Sequence, residues 1–108
     1  MDTKKLQRIT KQIKNAYAEM NRKKGKEVWR TKDYADAFVG DVGDLIKILV
    51  SYSKKPTKDG YKKISHELAD CLWSILAISD ELDVDIEKEF LINMEYLKQK
   101  YFEKRTLK

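Results

Sequence analysis

The sequence predicts an all-α protein folded as a four-helix bundle, and three observations support this prediction. Four stretches carry apolar residues at spacings of three and four, which places them along one face of a helix. Short segments containing glycine, proline and charged residues separate these stretches. No stretch shows the strict alternation that is typical of a strand. The 108 residues are enough for a single domain, 1–108, with a core of its own.

The first two predicted helices span about residues 3–21 and 32–53. The first is basic, and its apolar row consists of Leu6, Ile9, Ile13, Tyr17 and Met20. A basic loop with Gly25 follows it. Thr31 is the expected N-cap of the second helix, with Asp33 favouring its first turn.

The third and fourth helices are predicted over about residues 62–82 and 85–104. A loop at 53–61 precedes the third helix, because Pro56 and the pair Asp59-Gly60 are turn signals. The expected core row of the third helix is Ile64, Leu68, Cys71, Leu72, Ile75 and Ile78. The apolar row of the fourth helix is Leu91, Met94, Leu97 and Tyr101.

Composition restricts the class of protein and its compartment. No apolar run approaches the roughly 18 residues that a membrane span needs, and the N-terminus lacks the apolar segment of a signal peptide. A single cysteine, Cys71, gives no reason to expect an oxidising compartment. We therefore expect a cytoplasmic protein without a membrane partner.

Charge is unevenly distributed along the chain. Residues 1–32 contain 11 Lys and Arg against three acidic residues, whereas the remainder contains 12 against 15. A basic segment of this kind can bind nucleic acid, or it can attract a polyphosphate towards an acidic centre. Charge alone leaves both alternatives open.

Two pairs of carboxylates are the main chemical signal. The two members of each pair are three residues apart and are therefore neighbours on the helix surface. Without a cation, their negative charges would repel each other. No Lys or Arg occurs in residues 67–82 to neutralise the second pair. Oxygen ligands suit Mg²⁺, with Mn²⁺ as a substitute. If the two helices face each other, the sequence predicts a metal site for phosphoryl chemistry whose ligands and catalytic residues are Asp41, Asp44, Glu67 and Asp70.

Other interpretations of single residues stay open at this point. Asp41 and Asp44 could simply be solvated, because this spacing is common on exposed helices. His66, the lone histidine, is expected to be a partly exposed helix residue. Trp29 and the neighbouring Lys32 are candidates for substrate binding, although an aromatic residue is more often part of a core.

Trp29, GDVGD at 40–44, HELADCLWSILAISDEL at 66–82 and DIEKEF at 85–90 together resemble the MazG-like, all-α nucleotide pyrophosphohydrolases. The resemblance spans about residues 29–101. It implies Mg²⁺-dependent hydrolysis of a nucleoside triphosphate to the monophosphate and pyrophosphate, as in house-cleaning of nucleotide pools. It also implies a homodimer or homotetramer that packs through its helices. By position, it assigns the metal to the same four carboxylates.

The sequence departs from the family pattern at two places. The family's EExxE motif is replaced by GDVGD, so Gly40 stands where a carboxylate is usual. The family also tends to place a Lys and an Asn on the fourth helix, where this chain has Asn93 and Leu97. Our hypothesis is that Asn93 and Lys98 are substrate contacts, with Lys100 as the alternative to Lys98 for the phosphates.

Two further functions are alternatives to the enzyme. Gly40 favours a helical interaction module that has weak activity or none. The basic first helix could belong to a nucleic-acid-binding protein, but we regard nucleic acid as the least expected partner.

Overall fold

A computed structural model describes the backbone of residues 2–106 and the side chains of residues 2–101. Met1, Leu107 and Lys108, which belong to the predicted domain, lie outside the described residues. The helices are α1 Thr3–Lys23, α2 Thr31–Lys54, α3 Lys58–Glu81 and α4 Ile86–Thr106. Four helices and no strand within residues 2–106 confirm the all-α prediction. None of these helices is long and apolar enough to cross a membrane.

The C-terminal ends of α1 and α3 use the same left-handed cap. After α1, Gly25 has φ +69° and the Lys26 N–H donates to the Asn21 carbonyl across 2.8 Å. After α3, Asp83 takes the corresponding place with φ 54°, and the Val84 N–H donates to the carbonyl of the last turn. Glycine is the residue that suits this conformation, so the α3 cap is the more strained of the two.

The start of α3 corrects the predicted loop at 53–61. The Thr57 hydroxyl accepts the N–H of Gly60 at 2.9 Å, and the helix therefore begins at Lys58. The prediction was wrong for residues 58–61, because an N-cap threonine outweighs the turn signal of Asp59-Gly60. The expected cap of α2 was wrong by one residue: Arg30 is the N-cap, and its N–H donates to Asp33 Oδ2 at 2.9 Å.

The helices pack unequally. Helices α2 and α3, joined by only three residues, pack against each other most extensively, and α1 packs on α3. Helix α4 packs sparsely. The longest dimension of the molecule is 63 Å, whereas a 24-residue helix is about 36 Å long. The helices therefore do not all lie side by side, and α4 extends beyond the other three.

An ion pair connects α1 to the end of α3. The Lys14 ammonium is buried and donates to Asp80 Oδ2 at 2.6 Å and to Glu81 Oε2 at 2.8 Å. It also lies 5.5 Å from the ring centre of Tyr34 on α2. Lys14 thus holds three helices together at one point, at the end of α3 away from the acidic pair Glu67 and Asp70.

The predicted apolar rows of α1 and α3 match the buried faces of these helices only in part. On α1 the buried side chains are Thr10 and Lys14, while Ile13 is 43% exposed. On α3 the buried set is Cys71, Ser74, Leu76, Ala77 and Ser79. Leu68, in the expected core row, is 53% exposed. The expected core row of α3 was right for Cys71, which is buried, and wrong for Leu68, Leu72 and Ile75, which are exposed. Small side chains allow α3 to approach α2 closely, and these large apolar side chains remain outside.

Candidate active site

The contact between α2 and α3 brings Asp41 to the middle of α3. The Ser74 hydroxyl lies 3.4 Å from Asp41 Oδ2 and is the donor in this long hydrogen bond. Ser74 is 1% exposed and Asp41 is half-buried. Helices joined by so short a loop run antiparallel. Residues further along α2 therefore lie opposite residues nearer the start of α3. Asp41 therefore approaches, from the opposite helix, the face of α3 that carries Ser74.

Glu67 and Asp70 occupy the same face of α3 as Ser74. Both side chains are half-buried. The Oε2 atom of Glu67 is buried, and it has no hydrogen-bond partner among the described residues. Buried polar atoms without a partner are rare in folded proteins. This oxygen is the clearest sign that the site accommodates a group the chain does not supply.

His66 adds a nitrogen ligand beside the two carboxylates. Its Nε2 atom lies 3.1 Å from Asp70 Oδ2, and His66, Glu67 and Asp70 each offer one ligand atom within 4.8 Å of the others. His66 is exposed, as expected. Sequence analysis did not include it in the site, although its i,i+4 relationship to Asp70 was a usable signal.

The local charge acts on the Cys71 thiol. Burial raises the pKa of Cys71, and the nearby carboxylates of Asp41, Glu67 and Asp70 raise it further. A thiol with a raised pKa stays protonated near neutral pH and is a poor nucleophile. Cys71 is therefore a packing residue and not a nucleophile.

The residues present fit a divalent cation. No Lys or Arg among the described residues forms an ion pair with Asp41, Glu67 or Asp70. The exposed imidazole of His66, 3.1 Å from Asp70, is the one basic group beside them among the described residues. A bound cation would remove the repulsion between neighbouring carboxylates. Carboxylate oxygens suit Mg²⁺ or Mn²⁺, whereas an imidazole ligand such as His66 is more typical of Zn²⁺ or Fe²⁺, so the carboxylates are the groups that would hold Mg²⁺. The unpaired Glu67 oxygen is in a position to be one of the ligands.

The remaining predicted site residues are more dispersed. Asp44 is exposed on α2 and does not belong to the group of close ligand atoms formed within the described residues. Lys32 is exposed on the first turn of α2. Asn93 and Lys98 are exposed on α4, the helix that packs sparsely. The structure thus brings together two of the four predicted ligands, Glu67 and Asp70, with His66. Asp41 does not belong to this group either, although it contacts Ser74 on the same face of α3. The predicted α4 contacts do not reach these residues within one chain.

An aromatic pocket lies where α1, the segment before α2, the start of α2 and α3 meet. Its volume is about 370 Å³, and the residues that line it are Tyr17, Met20, Asn21, Trp29, Tyr34 and Trp73. Trp29 and Tyr34 meet edge to face with ring centres 5.4 Å apart. Trp73 is three residues after Asp70, a rise of about 4.5 Å along α3. We call this cavity the aromatic pocket; it contains the predicted Trp29.

Comparison with known proteins gives no family assignment. A scan against protein-family models, a search of curated proteins and a search of solved structures each found no match. The function is therefore inferred from the residues of the site.

Proposed function

We propose that the protein is a Mg²⁺-dependent nucleoside triphosphate pyrophosphohydrolase of the MazG-like type, with Mn²⁺ as a substitute metal. In this reaction a water oxygen bonds to the α-phosphorus of a (d)NTP. The bond from that phosphorus to the bridging oxygen breaks, and pyrophosphate leaves. The products are the (d)NMP and pyrophosphate. The reaction serves the house-cleaning of nucleotide pools.

One observation carries the proposal: Glu67 Oε2 is buried and unpaired beside Asp70, on the face of α3 where Ser74 contacts Asp41 of α2. These side chains would hold the cation, with Asp44 as a further ligand on the exposed side of α2. Bound there, Mg²⁺ neutralises phosphate charge and makes a coordinated water more acidic. One of the carboxylates accepts the proton of the attacking water.

The aromatic pocket supports a nucleotide as substrate. Nucleobases stack on aromatic side chains, and Trp29 and Trp73 are both available at the pocket. A base held there would direct its phosphates along α3 towards Asp70, one turn away. Lys32, at the start of α2, is a candidate for a phosphate contact.

The proposal includes a homodimer or homotetramer. The exposed large apolar residues include Ile9, Ile13 and Met20 on α1, Leu68 and Leu72 on α3, and Phe90, Leu91 and Ile92 on α4. This is far more exposed apolar surface than scattered single residues would give. In an oligomer, Asn93 and Lys98 of a second copy would approach the site that they do not reach within their own chain. Sedimentation equilibrium tests this: a mass two or four times 12.8 kDa supports the assembly, and a monomer at micromolar concentration contradicts it.

A turnover screen tests the reaction. Purified protein with Mg²⁺ is mixed with each common NTP and dNTP, and pyrophosphate and monophosphate are detected separately, with EDTA as the control. Equal release of both products supports the enzyme. If folded, metal-binding protein releases neither product from any nucleotide of the screen, a helical interaction module is favoured. Steeply salt-dependent binding to DNA or RNA would favour the nucleic-acid alternative, although Lys4, Lys11 and Lys14 of α1 already pair with acidic residues.

Metal binding is tested separately by calorimetric titration of Mg²⁺ and Mn²⁺. We expect Asp70→Asn to weaken Mn²⁺ binding at least about tenfold, in the range for loss of a supporting group at a metal site. Asp36→Asn, which makes the same change at an exposed position of α2, should leave affinity unchanged. Unaltered affinity in Asp70→Asn would exclude this residue from the site.

A further inference from the structure

Asn21 is the only amide among the residues that line the aromatic pocket. The other lining residues are four aromatic side chains and Met20. Asn21 is half-buried, and its side chain makes no hydrogen bond with any described residue. Its backbone is held in place, because the Asn21 carbonyl accepts the Lys26 N–H in the α1 cap. The amide of Asn21 is thus free to hydrogen-bond a polar group that enters the pocket, in the way that a few polar side chains orient ligands in otherwise apolar pockets.

We propose that Asn21 recognises the hydrogen-bonding edge of the base in the aromatic pocket and so determines which nucleotide is preferred. This inference rests on the proposed function for the identity of its ligand. The ring faces of Trp29 and Trp73 are indifferent to base identity, since every base has a π-face. The amide presents one donor and one acceptor side by side, and it is the lining group that can distinguish one base edge from another.

Cytosine and uracil provide the sharpest comparison. They have the same size but opposite edges: cytosine pairs an amino donor with a ring acceptor, and uracil pairs a carbonyl acceptor with an N–H donor. The amide of Asn21 can meet either edge by rotating. A carboxylate only accepts. In Asn21→Asp it would bond the amino group of cytosine, whereas for uracil it would face carbonyl oxygens on both sides of the single N–H.

The experiment is an NMR titration with cytidine and uridine in EDTA. Nucleosides carry no phosphate, so neither metal nor turnover enters the measurement. Both tryptophans of the chain line the aromatic pocket, and their two indole N–H signals therefore report on it directly. We expect saturable shifts in the wild type. We expect Asn21→Asp to raise the ratio of the uridine Kd to the cytidine Kd about tenfold, as one exchanged hydrogen bond would.

Two variants complete the test. Asn21→Leu should weaken the binding of both nucleosides about fivefold to tenfold and bring the ratio of the uridine Kd to the cytidine Kd towards one. Asn15→Asp places the same charge on an exposed position of α1 and should leave the wild-type ratio unchanged. The inference is overturned if neither nucleoside shifts the indole signals of the wild type, or if folded Asn21 variants keep the wild-type ratio.

The outcome is separate from that of the turnover screen. If the wild type releases pyrophosphate but the Asn21 variants keep the wild-type ratio of the two Kd values, the protein is the proposed enzyme and Asn21 does not recognise the base. A changed ratio without pyrophosphate release would identify a nucleoside-binding pocket on a protein that does not catalyse this reaction.

Discussion

The hydroxyl of Ser74 lies 3.4 Å from Asp41 Oδ2, and this contact joins the two helices that carry the acidic side chains. Ser74 is one of the most buried residues of the chain, at 1% exposure. Its small side chain lets α2 approach α3 closely enough for Asp41, Glu67 and Asp70 to act together on Cys71. The geometry of the site therefore depends on a residue that contributes no charge.

Ser74→Leu is expected to lower the free energy of unfolding by about 1 to 3 kcal/mol, because it overpacks a closed position. Ser74→Ala loses only a long hydrogen bond and should cost less than about 1 kcal/mol. Urea unfolding with and without Mg²⁺ measures both effects, and the stabilisation by Mg²⁺ should shrink in Ser74→Leu. Ser65→Leu makes the same change on an exposed turn of α3. Equal stability loss in Ser65→Leu and Ser74→Leu would contradict close packing at Ser74.

Lys14→Met is expected to destabilise the fold by about 2 to 3 kcal/mol, somewhat less than for a fully buried pair, because Asp80 and Glu81 keep some solvent contact. Lys11→Met removes a mainly exposed lysine that lies 3.7 Å from Asp80, and it should cost less than about 1 kcal/mol. Urea unfolding at neutral pH compares the two variants. Similar losses would mean that burial of Lys14 has no energetic consequence.

The Lys14 pair also predicts a loss of stability in alkali. Burial acts to lower the pKa of Lys14, but hydrogen bonds and charge from Asp80 and Glu81 outweigh it, and the pKa lies above its ordinary 10.5. The contribution of this pair is therefore complete below pH 10.5 and is lost as the pH rises through the folded-state pKa. Stability measured from pH 9 upwards should fall more in the wild type than in Lys14→Met. If the stability of the wild type and of Lys14→Met falls equally with pH, the raised pKa of Lys14 is contradicted.

Asp83→Gly is expected to stabilise the protein by about 0.5 to 1 kcal/mol, because Asp83 has a positive φ that glycine adopts without strain. Gly25→Ala at the equivalent cap of α1 should do the opposite, by about 1 kcal/mol. Thermal unfolding of the two variants measures the contrast. A rise in stability for Gly25→Ala, or a fall for Asp83→Gly, would show that these caps do not control the helix ends.

Gly40→Ala and Gly43→Ala are each expected to stabilise the isolated chain by about 0.8 to 1 kcal/mol, the difference in helix propensity. A Cβ atom at either position would meet nothing within 4 Å. Urea unfolding at low protein concentration measures the gain. If either variant loses stability instead, another surface, such as that of a second copy, must approach α2 at the glycine.

The number and order of the helices could be predicted from sequence because apolar spacing is a local property. Their packing could not. The row of Leu6, Ile9, Ile13, Tyr17 and Met20 indicates which face of α1 is apolar, but not what covers it, and in the single chain most of this row is exposed. The buried face instead contains Thr10 and Lys14, and Lys14 is buried because of Asp80 and Glu81, more than 60 residues away. Sequence periodicity contains no information on such a distant partner.

The candidate site was partly predictable for a related reason. The i,i+3 spacing of Glu67 and Asp70, together with a short connection between α2 and α3, was enough to expect Asp41 opposite them. The exposure of Asp44 depends on the rotation of α2 about its axis, which spacing does not determine. Asn21 had no sequence signal, because its role follows from the way the end of α1 meets Trp73.

The most direct test of the account is pyrophosphate release from the best nucleotide of the screen by the wild type and by Glu67→Gln. The substitution preserves shape and removes the charge of the buried, unpaired oxygen. We predict Mg²⁺-dependent release by the wild type and a loss of at least about a hundredfold in Glu67→Gln, while Glu95→Gln on exposed α4 keeps full activity. A Glu67→Gln protein that hydrolyses the nucleotide at the wild-type rate would contradict the account.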